Sequence, residues 1–130
     1  MCRLAFIFSL LIFISCSKDK PNHSIIGKWK SVSQYNGNTA WGGCSCWQEQ
    51  KSLEQHIIEF KFNGTYTLQQ SLLSSASGCN GVFETTSDST LSWNRCGADP
   101  RTFYYSFQAP FLIIEERTAG GPFMVKYVRL

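Results

Sequence analysis

The residues best able to do chemistry are the cysteines, of which the chain has six among 130 residues. Two of them, Cys2 and Cys16, lie near its start. The other four lie in its body: Cys44, Cys46, Cys79 and Cys96. Four thiols can pair into two disulfides in an oxidising compartment, whereas in a reducing one they can bind a thiophilic metal ion. Which chemistry applies therefore depends on where the chain goes.

The first fifteen residues predict export. Residues 4–14, LAFIFSLLIFI, are apolar apart from Ser9, and the cation Arg3 stands before them. A run of this length covers only about half of a ~30 Å hydrocarbon core, which is too short for a transmembrane helix. Residues 1–15 are therefore predicted to be a secretory signal peptide.

Ser15 and Cys16 resemble the lipobox of bacterial lipoproteins, although Phe13 stands where leucine is usual. The resemblance implies that Cys16 carries the lipid anchor and becomes the new N-terminus. Residues 16–24 are polar and include Pro21, so a flexible tether is expected. The Ser-Lys-Asp that follows Cys16 is similar to the export signal of some Bacteroidetes lipoproteins, which implies the outer membrane, on its periplasmic face or at the cell surface. An ordinary secreted protein or a retained anchor remain alternatives.

Charge excludes one class of partner. The formal net charge is +3 and falls by one when Arg3 leaves with the signal peptide. A balance this close to neutral, without a basic run, argues against nucleic acid. Residues 25–130 are long enough for one domain with one core.

The domain is predicted to be all-β, because short runs of β-branched and aromatic residues alternate with Gly, Asn, Ser and Pro. Eight strands are predicted, at residues 25–35, 55–62, 65–69, 81–86, 90–94, 102–107, 111–117 and 123–130. Every second connection is short, so the long ones share one end. These features predict an eight-stranded antiparallel up-and-down barrel, whose interior is filled or holds one small ligand. Closure removes free sheet edges, and we expect a monomer.

Side-chain alternation predicts how the hairpins pair. A three-residue turn at 62–64 places Gly64 where a left-handed residue is needed. The predicted pairs are Phe60 with Tyr66, Ile58 with Leu68, Phe83 with Trp93, Thr85 with Leu91, Phe107 with Phe111, and Tyr105 with Ile113. The aromatic residues assigned to the interior are Trp29, Phe60, Tyr66, Phe83, Trp93, Phe103, Tyr105, Phe107, Phe111, Phe123 and Tyr127.

Gly27-Lys28-Trp29 on the first strand, with an up-and-down series that ends in GGPFMVKYVRL, resembles the lipocalin superfamily and its short lipocalin-like lipoproteins of Bacteroidetes. The resemblance implies a closed end in which the indole of Trp29 packs beneath Arg129, near Gly27. Alternation supports this independently, because antiparallel pairing of the first and last strands brings Trp29 near Arg129.

The predicted topology gathers the four body cysteines at the open end, where we expect two disulfides. A Cys79–Cys96 bridge would put the two residues on opposite faces if the ladder of that hairpin reached them. It would also leave Cys44 and Cys46 in a strained ring. We therefore expect Cys44 and Cys46 to bond separately to Cys79 and Cys96. The other connectivities and a four-thiolate metal site remain alternatives.

No residues with catalytic spacing are found, so we expect neither an enzyme nor a bound cofactor or metal. The expected function is to bind a small apolar or amphipathic ligand at the open end. The candidate contacts are Trp41, Trp47, His56, Phe60, Tyr66, Tyr105 and Glu115. Glu115 points inward only if it shares the face of Phe111 and Ile113; the other register leaves it in water. The main alternative is a structural or interaction lipoprotein that presents its disulfide-linked loops to an envelope partner or glycan.

Overall fold

The computed structural model describes residues 24–37, 44–52, 54–69 and 78–130, and the structural statements below concern these residues. The strands, in chain order, are β1 Gly27–Asn36, β2 Trp47–Glu49, β3 Ile57–Phe60, β4 Thr65–Gln69, β5 Cys79–Ser87, β6 Thr90–Trp93, β7 Arg101–Gln108, β8 Phe111–Thr118 and β9 Gly121–Arg129. A short 3-10 turn, Arg95–Gly97, follows β6. Eight of the strands are the predicted ones, with ends that differ by at most two residues. The predicted signal peptide, Cys16 and Trp41 lie outside the described residues.

The sheet closes on itself. From β3 to β9 each strand pairs antiparallel with the next, and β1 pairs with both β3 and β9. The prediction of an eight-stranded antiparallel up-and-down barrel is therefore confirmed, with β2 as one additional strand. In the described part of the chain, no helix has the length and apolar character needed to cross a membrane.

β2 lies where the sequence predicted only a loop. Trp47 pairs with Tyr35 on the far half of β1, while β3 pairs with the near half. A bulge follows Ser31 in β1, and the amide of Gln50 donates to the carbonyl of Val32 at 2.9 Å. The chain thus runs beside β1, leaves the sheet, and returns as β3. All three residues of β2 are exposed, so no apolar alternation marks the strand in the sequence.

The first tight turns follow the prediction. Gly64 has a positive φ of 76°, and the amide of Lys61 donates to the carbonyl of Thr65 at 2.9 Å across the turn 62–64. Four predicted cross-strand pairs are observed: Ile58 with Leu68, Phe60 with Tyr66, Phe83 with Trp93, and Thr85 with Leu91. The inward faces of β3 to β6 are therefore as predicted.

The hairpin of β7 and β8 differs from the prediction by one residue. Gln108 pairs with Phe111, so the turn contains two residues instead of three. Consequently Leu112 and Ile114 belong to the inner face, and Phe111, predicted to point inward, lies on the outer face. Residues 112–114 are all apolar and all buried, so alternation in the sequence could not choose between the two registers.

Aromatic side chains fill the half of the barrel near the tight turns. The ring of Phe60 meets those of Phe83 and Trp93 edge-on, with centroids 4.8 Å and 5.8 Å apart. Tyr66 meets Trp93 in the same way at 5.2 Å. Such pairs contribute about 0.5–1.5 kcal/mol each beyond the apolar area they bury. Trp93 belongs to this cluster and also extends into the open half of the barrel.

Candidate ligand-binding cavity

The closed end of the barrel is held by Arg129. Its guanidinium carbon lies 4.7 Å from the ring centroid of Trp29, and its Nη2 donates to the carbonyl of Ser24 at 2.7 Å. Trp29 is buried, and its indole nitrogen donates to the carbonyl of Ile25 at 2.8 Å. Gly27, with a φ of 136°, faces the guanidinium at a distance where a Cβ atom would lie 3.7 Å from it. These residues close the end of the barrel that lies opposite the cavity.

Two disulfides lie at the open end, Cys44 with Cys46 and Cys79 with Cys96. The predicted cross-linking of the two pairs is therefore wrong. The ladder between β5 and β6 ends before it reaches either Cys79 or Cys96, so it does not hold them on opposite faces. Cys96 has a positive φ of 53° in the 3-10 turn, and Ser45 has one of 49°. These turns bring each pair of sulfur atoms together.

A buried tyrosine braces the turn that carries Cys96. The hydroxyl of Tyr66 donates to the carbonyl of Asn94 at 2.7 Å and accepts the amide proton of Cys96 at 2.8 Å. The side chain of Asn94 accepts the amide proton of Val82 at 2.9 Å. Gly81 lies against this network, where a Cβ atom would come within 2.5 Å of the Tyr66 ring. The connection after β6 is thereby fixed at one side of the mouth.

The open half of the barrel contains a cavity of about 220 Å³. Its lining comes from β1, β6, β7, β8, β9 and the segment between β2 and β3. The residues are Gln34, Gln50, His56, Trp93, Phe103, Ile114, Glu116, Phe123, Val125 and Tyr127. An engineered cavity of about 150 Å³ can hold benzene, so this one can hold a single substituted ring.

His56 is fixed at the wall of the cavity. Its backbone amide donates to the hydroxyl of Ser31 at 2.9 Å, and its Nδ1 lies 3.2 Å from the same oxygen. On the other side of the ring, Nε2 lies 2.8 Å from the hydroxyl of Tyr127. Because Ser31 is fully buried, this chain of hydrogen bonds sets the orientation of the rings of His56 and Tyr127, which both line the cavity.

The wall of the cavity contains buried polar atoms that lack a hydrogen-bond partner. In the described part of the chain, the indole nitrogen of Trp93 and the Oε1 of Gln50 are buried without a hydrogen-bond partner. Gln50 uses its amide nitrogen to donate to Gln34 at 3.3 Å. A buried polar atom without a partner costs about 1–3 kcal/mol. The fold thus keeps polar groups at this wall that a fully apolar core would not contain.

The carboxylate at the cavity is Glu116 and not the predicted Glu115. Since β8 is shifted by one residue, Glu116 pairs with Phe123 and lines the cavity, while Glu115 lies on the outer face. Glu115 accepts a hydrogen bond from Arg117 at 2.7 Å. Glu116 accepts one from Arg101 at 2.9 Å, and its side chain is 24% exposed. The inward carboxylate thus stands between the cavity and solvent.

Of the seven predicted ligand contacts, the structure places His56 at the cavity. Trp41 lies outside the described residues. The remaining five do not line it: Trp47, Phe60, Tyr66, Tyr105 and Glu115.

The positions of these five residues explain the difference. Phe60 and Tyr66 are buried in the aromatic core below the cavity. Tyr105 lies near the turn after β5, where its hydroxyl donates to the carbonyl of Ser87 at 3.2 Å. Burial, with a smaller effect of nearby Asp88, raises the pKa of Tyr105. Trp47 is on the outer surface, 38% exposed.

Most of the lining residues were not predicted as ligand contacts. Trp93, Phe103, Phe123 and Tyr127 had been assigned to inward faces but only as core. The signal that could have identified them is position along the strand, because inward residues near the long connections border the open end. Gln34 and Gln50 had no such signal, since the bulge and β2 that place them were not predicted.

Comparison with known proteins found no matching family model, no matching curated protein and no matching solved structure.

Proposed function

We propose that this protein is a lipid-anchored, lipocalin-like protein of the bacterial cell envelope that binds one small apolar or amphipathic molecule in the open half of its barrel. The observation that carries the proposal is the cavity of about 220 Å³ above an otherwise filled aromatic core. The proposed role is binding, and no catalytic step is part of it.

The shape of the cavity supports a small ligand. Aromatic and aliphatic side chains form most of its wall, while Gln34, Gln50 and His56 supply polar groups at one side. Apolar ligand surface buried against such a wall contributes roughly 25 cal/mol per Å². A few fixed polar groups then set the orientation of the ligand.

Export and anchoring belong to the proposal on separate grounds. The apolar run before Cys16 supports a signal peptide. The two disulfides are typical of an oxidising compartment. Mass spectrometry of the protein extracted from membranes of an expressing bacterium tests the anchor: we expect a lipid mass on Cys16 that is lost in Cys16→Ser. Recovery of the protein in the water-soluble fraction with Cys16 unmodified would contradict the predicted anchor.

A cavity-filling variant tests the binding site. In Val125→Phe the added ring occupies the cavity, so we expect the affinity for tert-butylbenzene, followed by NMR titration, to fall about tenfold or more. The matched control is Val82→Phe, because Val82 lies on the outer surface and is 56% exposed. Equal affinity in both variants, or no binding to the wild-type protein, would contradict the proposal.

The alternative, an interaction protein, is favoured by one observation on the outer surface. The ring of Trp47 lies 5.7 Å from that of Tyr35, and the amine of Lys126 lies 4.2 Å above the Trp47 ring. Exposed aromatic rings of this kind bind sugars and protein partners. If this surface carries the function, Trp47→Ala will abolish binding to a panel of envelope glycans while Val125→Phe leaves it intact.

A further inference from the structure

The wall of the cavity has a distinctive chemical composition. Four aromatic rings face it, from Trp93, Phe103, Phe123 and Tyr127, and the acidic residue among its described lining residues is Glu116. No lysine or arginine is among those residues.

Aromatic rings and a carboxylate favour the same kind of ligand. The face of an aromatic ring carries partial negative charge and attracts a cation within about 6 Å of its centroid. A carboxylate at the edge of the same cavity adds a full negative charge, and in a partly desolvated site its attraction is stronger than in water. An anionic ligand would meet repulsion from both. A cation can therefore be bound by a larger part of this wall than a neutral or anionic molecule of the same shape.

The existing ion pair of Glu116 does not remove this preference. Arg101, its partner, pairs with Trp93 at the open end of the barrel and has a side chain that is 68% exposed. Exposed ion pairs are weak, because both groups remain hydrated and the long arginine side chain must be held in one conformation. Arg101 is thus a cation that already occupies one oxygen of Glu116 and competes with any second cation that enters from the cavity.

We propose that the ligand of this protein is a small organic cation, an ammonium group attached to an apolar body about the size of one substituted ring. The ammonium lies against the aromatic rings and Glu116, and the apolar body fills the space toward Ile114 and Val125. This inference rests on the proposed function, since it names the chemical class of the molecule that the cavity binds.

A pair of probes with the same shape tests the charge alone. Phenyltrimethylammonium and tert-butylbenzene differ in carrying a nitrogen cation or a neutral carbon at the same position. The measurement is the ratio of their affinities for the wild-type protein, from NMR titration of the full chain without its signal peptide. We expect the cation to bind about tenfold more tightly than the neutral probe.

Neighbouring residues of β8 supply the matched variants. Glu116→Gln removes the charge at the cavity, and we expect the ratio to fall about threefold, because the aromatic rings still favour the cation. Glu115→Gln removes the same charge one residue away on the outer face, and we expect the ratio to change less than about twofold. Arg101→Gln removes the competing cation, and we expect the ratio to rise.

Each outcome separates the inference from the proposed function. If the wild-type protein binds neither probe, the binding function itself is wrong. If it binds tert-butylbenzene at least as tightly as the cation, the cavity binds ligands but the preference for cations is wrong. The inference is also overturned if Glu116→Gln leaves the ratio unchanged, or if Glu115→Gln lowers it equally. Circular dichroism of each variant verifies that the barrel is folded.

Discussion

At the scale of single residues, the hydroxyl of Tyr66 makes two hydrogen bonds to the backbone after β6. It joins the carbonyl of Asn94 to the amide of Cys96 although Tyr66 itself is fully buried. One side chain thereby connects the aromatic core to the connection after β6.

We expect Tyr66→Phe to lower the free energy of unfolding by about 1–3 kcal/mol, because it leaves two backbone groups without their partner. Urea denaturation measures this loss. The control is Tyr105→Phe, whose hydroxyl makes an exposed hydrogen bond and whose loss should cost less than about 1 kcal/mol. If the two variants are equally stable, the bracing role of Tyr66 is wrong.

Single residues also show where prediction from sequence stops. The contact of Arg129 with Trp29 was expected from the lipocalin resemblance and from the pairing of the first and last strands, and it is present. The inward carboxylate was assigned to Glu115, and it is Glu116, because one extra residue was assumed in a turn. Side chains of a strand alternate between its two faces, so an error of one residue in the register moves every side chain of the strand to the other face.

At the scale of elements, the two disulfides close loops of very different length. Cys44 and Cys46 are two residues apart in sequence, whereas Cys79 and Cys96 are 17 apart. A disulfide acts largely by restricting the unfolded chain, and the restriction grows with the length of the loop it closes.

We expect the double variant Cys79→Ser/Cys96→Ser to lower the free energy of unfolding by about 3 kcal/mol, and Cys44→Ser/Cys46→Ser by less than about 2 kcal/mol. The two double variants serve as controls for each other, since both lose two sulfur atoms at the open end. Chemical denaturation under non-reducing conditions gives both values. An equal or reversed order would show that the short ring supports the fold through contacts of its own.

Elements were predicted well where side chains alternate and poorly where they do not. β3, β4 and β6 alternate clearly between apolar and polar positions, and the four pairs predicted in the hairpins β3–β4 and β5–β6 are observed. β8 begins with a continuous apolar run, and its register was missed. β2 is too short and too exposed to give a signal, and it was missed entirely. The cavity depends on the last two elements, which is why the fold was more predictable than the site.

At the scale of the whole molecule, packing is uneven along the barrel axis. The half near the tight turns is filled by the aromatic cluster, and the other half contains the cavity. Segments with few buried apolar contacts open locally more often than core strands do.

Hydrogen exchange should reveal this difference. We expect the amides of β2, whose three residues are exposed, to exchange at least tenfold faster than those of β3 and β4, which alternate buried positions. Mass spectrometry with peptide resolution measures the rates, and adding phenyltrimethylammonium should slow exchange in β8 and β9 more than in β4. Uniform exchange along the chain would show that the two halves unfold as one unit.

The hydrogen bond from Arg129 to Ser24 determines where the N-terminal segment joins the barrel. Because the carbonyl of Ser24 is bound at the closed end, the chain joins the barrel at the pole opposite its mouth. A lipid at Cys16 would therefore be joined to the barrel at the end opposite its mouth, so the point of attachment does not cover the cavity. Entry to the cavity would then not depend on the anchor, and a solute that never partitions into the membrane could still reach it.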